Sequence, residues 1–266
     1  MRVNVYSDKF SGTLSAAEVL KVIKSVFKNF DIQANYFPVT DGGEHSTEIF
    51  KHYNIQTESV SMKKDFVGSW IPAEYLNING DVYFESASLI GVNKTSEHPF
   101  NLNTAALSQV IPEIDVLGLG GSKTVDGGIG LLSCLGIDFY AGEEIITNPK
   151  PKDFKDITAV KVNDSFSNLE LKVLTDTSTR LLGSNSAVAM YGPQKGLNKK
   201  EIKHLEEQLE RIFQIVSTEL NVPLDPFKKE TGAAGGLSFV LGEILGCELI
   251  SGSQYFLEQT NLKNKI

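Results

Sequence analysis

Apolar positions along the chain recur with two periods, and each switch between them marks an element. Val3 and Val5 alternate with polar neighbours and predict a short first strand. Behind it, Val19, Leu20, Ile23, Val26 and Phe27 fall at helical spacing after Ser15 and Glu18, a capping-box pair. A strand over about 33–39 leads to a helix through Ile49 and Phe50, and Asn79-Gly80 between apolar runs at 75–78 and 82–85 predicts a tight hairpin. Further on, the pattern predicts a helix near 104–110, a buried strand through Val116, Leu117 and Leu119, and a helix through Ile129, Leu131, Leu132 and Leu135. A strand at 171–174, a long amphipathic helix over about 198–219 and a helix over 237–245 complete the set. Turns are predicted at Pro149-Lys150-Pro151 and at Gly192-Pro193-Gln194-Lys195-Gly196.

Strand, loop and helix in succession predict an α/β fold, whose ligand loops follow the carboxyl ends of strands. The loops here carry chemistry. The richest, Gly120-Gly121-Ser122 through Thr124 and Asp126 to Gly127-Gly128, joins a strand to a helix and interleaves glycines with two hydroxyls and a carboxylate. Such a loop turns backbone N–H groups on an anion and supplies a metal ligand or base; its bland reading is a tight turn. It fits neither the Walker pattern nor the dinucleotide fingerprint. Asp8 and Lys9 follow the first strand as candidate base or metal ligand and phosphate contact. Asp41 and Glu44 follow the second, as cation ligands or helix caps, and Asp176 stands at the end of the strand at 171–174. Lys195 lies between glycines within reach of a phosphate, or simply solvated, and Gly235 and Gly236 open the last predicted helix.

Length allows two cores, since 266 residues exceed what one usually organises. A net charge of -8 argues against broad nucleic-acid binding, which needs a basic surface. Cys134 and Cys247 lack metal-ligand spacing, and no signal-peptide pattern or membrane-length apolar run occurs. A soluble, cytoplasmic protein without membrane contact is the expectation.

Five segments together resemble the bacterial-type glycerate kinase family: SDKFSGTLSAAEV (7–19), TDGGE (40–44), GLGGSKTVDGGIG (118–130), YGPQKG (191–196) and TGAAGGL (231–237). The resemblance implies transfer of the γ-phosphoryl group of ATP, with Mg²⁺, to a hydroxyl of D-glycerate. It also implies two α/β domains, an incomplete Rossmann-like parallel-sheet domain beginning at 1–58 and a mixed-sheet α/β domain at 59–266, with the site in the cleft between them. Asp8, Lys9, Asp126 and Asp176 are then the candidate catalytic groups and Asp41 and Glu44 the metal ligands. Gly120, Gly121, Ser122, Thr124, Gly127, Gly128, Lys195, Gly235 and Gly236 are expected to hold substrate or phosphate. The sequence departs from the family pattern at Ser11, where lysine is usual, at Val125 and Thr179-Arg180, and at 103–106; Arg180 is expected to restore a positive charge near the site. It also ends before a GEGR-like segment that similar kinases carry, which predicts an unpaired sheet edge in the first domain. A complementing chain is one reading of that end. A catalytically silent ligand-binding relative and a kinase for another small hydroxy acid are the others.

Overall fold

The computed structural model describes residues 2–10 and 13–265, so the Ser11 departure lies outside the described residues. Strand β1 (Arg2–Ser7) pairs in parallel with β2 (Gln33–Pro38), and α1 (Ala16–Lys28) connects them. The predicted capping box is present: Ser15 Oγ accepts from Glu18 N, and the Glu18 carboxylate accepts from Ser15 N. Helix α2 (Ser46–His52) follows β2. Next come β3 (Gln56–Lys64), β4 (Trp70–Ile78) and β5 (Asp81–Glu85), an antiparallel meander. The β4–β5 turn holds Asn79 and Gly80 at φ 56° and 104°, the left-handed pair that a two-residue hairpin demands.

The chain continues through α3 (Ala87–Ile90), β6 (Val116–Gly118), α4 (Ile129–Cys134), β7 (Ile137–Ala141), β8 (Glu144–Ile145) and β9 (Ala159–Val162). After these come β10 (Lys172–Leu174), α5 (Ala187–Lys195), α6 (Lys199–Leu220), α7 (Leu237–Phe239), β11 (Glu248–Ile250) and α8 (Gly252–Gln259). Six strands form the principal sheet in the order β11-β10-β6-β5-β4-β3, parallel from β11 to β5 and antiparallel beyond; β8-β7-β9 form a smaller sheet. Both faces of the sheet are buried at its centre, which is why β6 reads as an unbroken apolar run. Phe84, Leu117 and Val173 enter one core, while Tyr83, Val116 and Leu174 enter the other beside Phe50 and Phe256. This is the α/β class the order of elements predicted.

Register sets Glu85 opposite Gly118, and Gly118 and Ile250 each opposite Leu174. Four parallel strands therefore end together, and the loops that follow them emerge on one side.

Three local expectations are corrected. Residues 104–110 form a 3₁₀ stretch (Ala105–Gln109) instead of an α-helix; Thr104 turns its hydroxyl to Asp126, and Pro112 soon removes a donor. The predicted turn at 192–196 is the last turn of α5, which Ser186 caps by accepting from Ala189 N, and which ends at Gly196 with φ 109°. Between 237 and 245 the helix widens from α7 into a π-turn (Val240–Ile244).

Candidate active site

At the shared strand ends lies a cavity of about 610 Å³. Its walls come from every glycine-containing loop singled out in the sequence: Asp8 and Lys9 after β1, Asp41 and Glu44 after β2, and 119–122 after β6. Thr175, Asp176 and Thr177 after β10, Tyr191, Gln194 and Lys195 of α5, and 232–235 complete them.

Glycine allows these loops to touch. A Cβ on Gly118 would lie 2.0 Å from Gly42 O, and one on Gly235, at φ +72°, would lie 2.2 Å from Thr124 O. Backbone packs on backbone at both places, so the motifs are locked to one another.

Lys9 Nζ lies 3.6 Å from an Asp8 carboxylate oxygen and 3.4 Å from one of Asp41. Burial raises the Asp8 carboxyl above its ordinary range, against the pull of the Lys9 charge. Two carboxylates sharing one cation make a compact polar corner. Among the described residues no three His, Cys, Asp or Glu side chains gather at metal-ligating spacing. The expected ligands Asp41 and Glu44 both line the cavity, and Mg²⁺ takes one or two carboxylates and completes its shell with phosphate oxygens and water.

Lys195 forms the opposite corner. It is 6% exposed, and its Nζ donates to Thr124 O at 2.8 Å and to Ser122 Oγ at 3.4 Å. Burial pushes its pKa down to about 7, Asp126 opposes the shift, and Lys123 adds to it. The expectation of a solvated turn lysine fails because α5 carries this side chain inward. Among the described residues, the N–H groups of Gly120 and Gly121 at the cavity wall take no intramolecular hydrogen bond. They remain available to an anion.

The cradle's second half does different work. Asp126 is fully buried and does not line the cavity. Its carboxylate accepts from Thr104 N at 2.9 Å, Thr104 Oγ1 at 2.8 Å, Gly130 N at 3.0 Å and Gly128 N at 3.4 Å. Gly127 N donates to Gly235 O at 3.0 Å. The start of α4 is thus occupied by the chain's own carboxylate, and Gly127, Gly128, Thr124 and Gly236 lie outside the cavity lining. Expected roles for Asp126 as base or metal ligand, and for these four as direct ligand contacts, meet that geometry without access to the cavity. Asp176 reaches the cavity rim, but its oxygens accept from Ser251 Oγ at 2.6 Å and Ser253 N at 2.7 Å, tying it to the start of α8. Arg180 is exposed and is not among the residues that line the cavity.

Sequence reasoning offered Glu44 as a cation ligand or a cap for α2. Instead the cap is Glu85, which accepts from His45 N at 2.9 Å and Thr47 N at 3.0 Å, while Glu44 faces the cavity and accepts from Asn93 Nδ2 at 3.3 Å. Tyr83 Oη, two residues before Glu85, donates to Gly42 O at 3.0 Å. The end of β5 therefore holds the 40–44 loop in place. Replacing Glu85 by alanine leaves the buried acceptor position empty and should cost about 2–3 kcal/mol, read as a lower urea midpoint with unchanged m. Asn93, Tyr191 and Gln194 also line the cavity. Tyr191 and Gln194 belong to the quoted YGPQKG segment, the one signal by which they stood within reach of sequence reasoning; Asn93 carried none.

A sequence model of the glycerate kinase family matches residues 3–266. The chain belongs to the glycerate kinase family. It is 30% identical to a glycerate kinase of Halalkalibacterium halodurans across 96% of this chain and 71% of that one. Against the glycerate 2-kinase of Escherichia coli K12 the identity is 28%, covering 100% of this chain and 74% of the relative. A crystal structure from Salmonella typhimurium LT2, of a protein proposed to be glycerate kinase 2, superposes with a TM-score of 0.73 at 23% identity, covering 99% and 75% of the two chains. That likeness supports the two-domain α/β fold class. Family membership makes the chain a phosphotransferase, as its five motifs implied. No described helix is long and apolar enough to cross a membrane.

Proposed function

We propose that this glycerate kinase family member transfers the γ-phosphoryl group of ATP to a hydroxyl of D-glycerate with Mg²⁺ as cofactor. The observation that carries the reading is the polarity of one cavity: Asp8, Lys9 and Asp41 at one corner, and buried Lys195 with Ser122 at another. Phosphoryl transfer asks a protein chiefly to position two reactants and to neutralise phosphate charge. Asp41 and Glu44, both on the cavity wall, would hold Mg²⁺, which when bound shields the phosphate oxygens. Lys9 and the N–H groups of Gly120 and Gly121, which have no hydrogen-bond acceptor among the described residues, suit the transferred phosphate. Lys195 and Ser122 suit an anionic acceptor, the glycerate carboxylate. Asp8, with its carboxyl raised by burial, suits the proton leaving the attacking hydroxyl.

The test is ADP release by the full chain with ATP and Mg²⁺, comparing D-glycerate with L-glycerate and D-lactate. Release that requires D-glycerate and is slower with the other two is expected. Release that ignores the hydroxy acid, or none from a folded sample, would overturn the proposal.

A further inference from the structure

Most polar side chains on the cavity wall are already engaged by the chain itself. Lys9 ties Asp8 to Asp41, Asn93 Nδ2 donates to Glu44, Ser122 Oγ accepts from Lys195, and Ser251 holds Asp176. The threonines after β10 are committed as well: Thr175 Oγ1 accepts from Thr177 N at 3.5 Å, and Thr177 Oγ1 shares a hydrogen bond with Thr179 Oγ1 at 2.7 Å. Among the described residues, two polar side chains on the wall have no intramolecular partner, the Tyr191 hydroxyl and the Gln194 amide.

Both belong to α5, the helix that carries Lys195. Tyr191, Gln194 and Lys195 stand at i, i+3 and i+4, so one face of the helix turns all three to the cavity. Gly192 turns elsewhere, since a Cβ there would lie 3.1 Å from Ile202 of α6. Packing on α6 thereby fixes which face the cavity receives. Tyr191 is half-buried and Gln194 exposed, so a ligand reaches both.

The chemistry of this face is graded. An ammonium has three donors; Thr124 O and Ser122 Oγ take two of those on Lys195, which leaves one for a carboxylate. Beside that anchor, a phenol and a primary amide each offer a donor and an acceptor, the complement of an alcohol. We propose that Tyr191 and Gln194 are specificity-determining residues of the acceptor site: they hydrogen-bond the glycerate hydroxyl that is not phosphorylated. The inference rests on the placement of the acceptor carboxylate at Lys195 proposed above. Both hydroxyls of glycerate lie close to its carboxylate, so side chains on the anchor's own helix face are the ones they meet. An acid with a single hydroxyl either leaves this pair unmatched or leaves no hydroxyl to react, and the site selects acids that carry two.

The test is calorimetric titration of the full chain, without nucleotide, with D-glycerate, D-lactate, which has only the 2-hydroxyl, and 3-hydroxypropionate, which has only the 3-hydroxyl. The wild-type chain should bind the acid that lacks the read hydroxyl about tenfold more weakly than D-glycerate, the size of one neutral hydrogen bond. That gap should narrow in Tyr191→Phe and in Gln194→Met and close in the double variant, all with a wild-type urea midpoint. Lys195→Met should instead weaken all three acids together, since each carries the carboxylate. A gap that survives in the double variant would overturn the proposal, as would equal binding of the three acids by the wild type; the carboxylate reading stands in either case if Lys195→Met still weakens every acid. No loss of affinity in Lys195→Met, or no binding of D-glycerate by the wild type, would remove that reading and the proposal with it.

Discussion

Replacing Lys195 by methionine should lower kcat/KM for D-glycerate phosphorylation about 10²–10³-fold, the loss of about 2.7–4 kcal/mol typical of removing one preorganised donor from a desolvated site. The methionine preserves the apolar stem and its packing, so the fold should survive. What disappears is a cation held by Thr124 O and Ser122 Oγ at the cavity floor. The pH profile adds a second signature. Because burial holds Lys195 near 7, the free enzyme loses this positive charge as pH rises through about 7, and kcat/KM should fall on that limb. In Lys195→Met the same limb should vanish. A variant with wild-type kcat/KM and an unchanged profile would remove Lys195 from the site.

Asp126 should behave in the opposite manner, as a residue whose loss is felt first in stability. Asp126→Ala strands the buried N–H groups of Thr104 and Gly130 together with the Thr104 hydroxyl, and should cost about 4 kcal/mol in urea unfolding. Asp126→Asn should cost only about 1–2 kcal/mol. Its amide oxygen can take the position that receives three of the four hydrogen bonds, while its NH₂ replaces the oxygen with the single long contact to Gly128 N. Burial raises the Asp126 carboxyl above its ordinary 3.8, despite these donors. A carboxyl raised in the fold takes up its proton in the native state first. Wild-type stability relative to Asp126→Asn should therefore increase as pH falls through the raised value towards 3.8. Equal stabilities of wild type and Asp126→Ala would contradict the structural role.

The elements most legible in the sequence were those fixed by neighbours in the chain. Ser15 with Glu18, and Asn198 at the start of α6, announce helices through contacts within four residues, and Asn79-Gly80 announces its hairpin through φ alone. Three of the five glycine-bearing segments (7–19, 40–44 and 118–130) follow strands, and the family resemblance joined 191–196 and 231–237 to them as one site. Roles within that site were not legible. Glu85 caps a helix 38 and 40 residues away in sequence, and Thr104 meets Asp126 across 22. No local pattern encodes either contact. Lys195 was legible as a phosphate contact but its burial was not, since glycine and proline beside it signal a turn, yet Ser186 starts a helix that carries it inward. Asp126 looked chemical because it is acidic and flanked by glycines. The same glycines admit the backbone donors that consume it.

The central claim is that this one cavity moves a phosphoryl group from ATP to D-glycerate, and a phosphorus NMR time course tests it most directly. With the full chain, ATP, Mg²⁺ and carbon-labelled D-glycerate, the account predicts a new phosphomonoester resonance coupled to a glycerate carbon, growing as the γ-phosphate signal declines. The rate should drop in Lys195→Met. A folded sample that leaves both ATP and D-glycerate unchanged, or that releases only inorganic phosphate, would contradict the account.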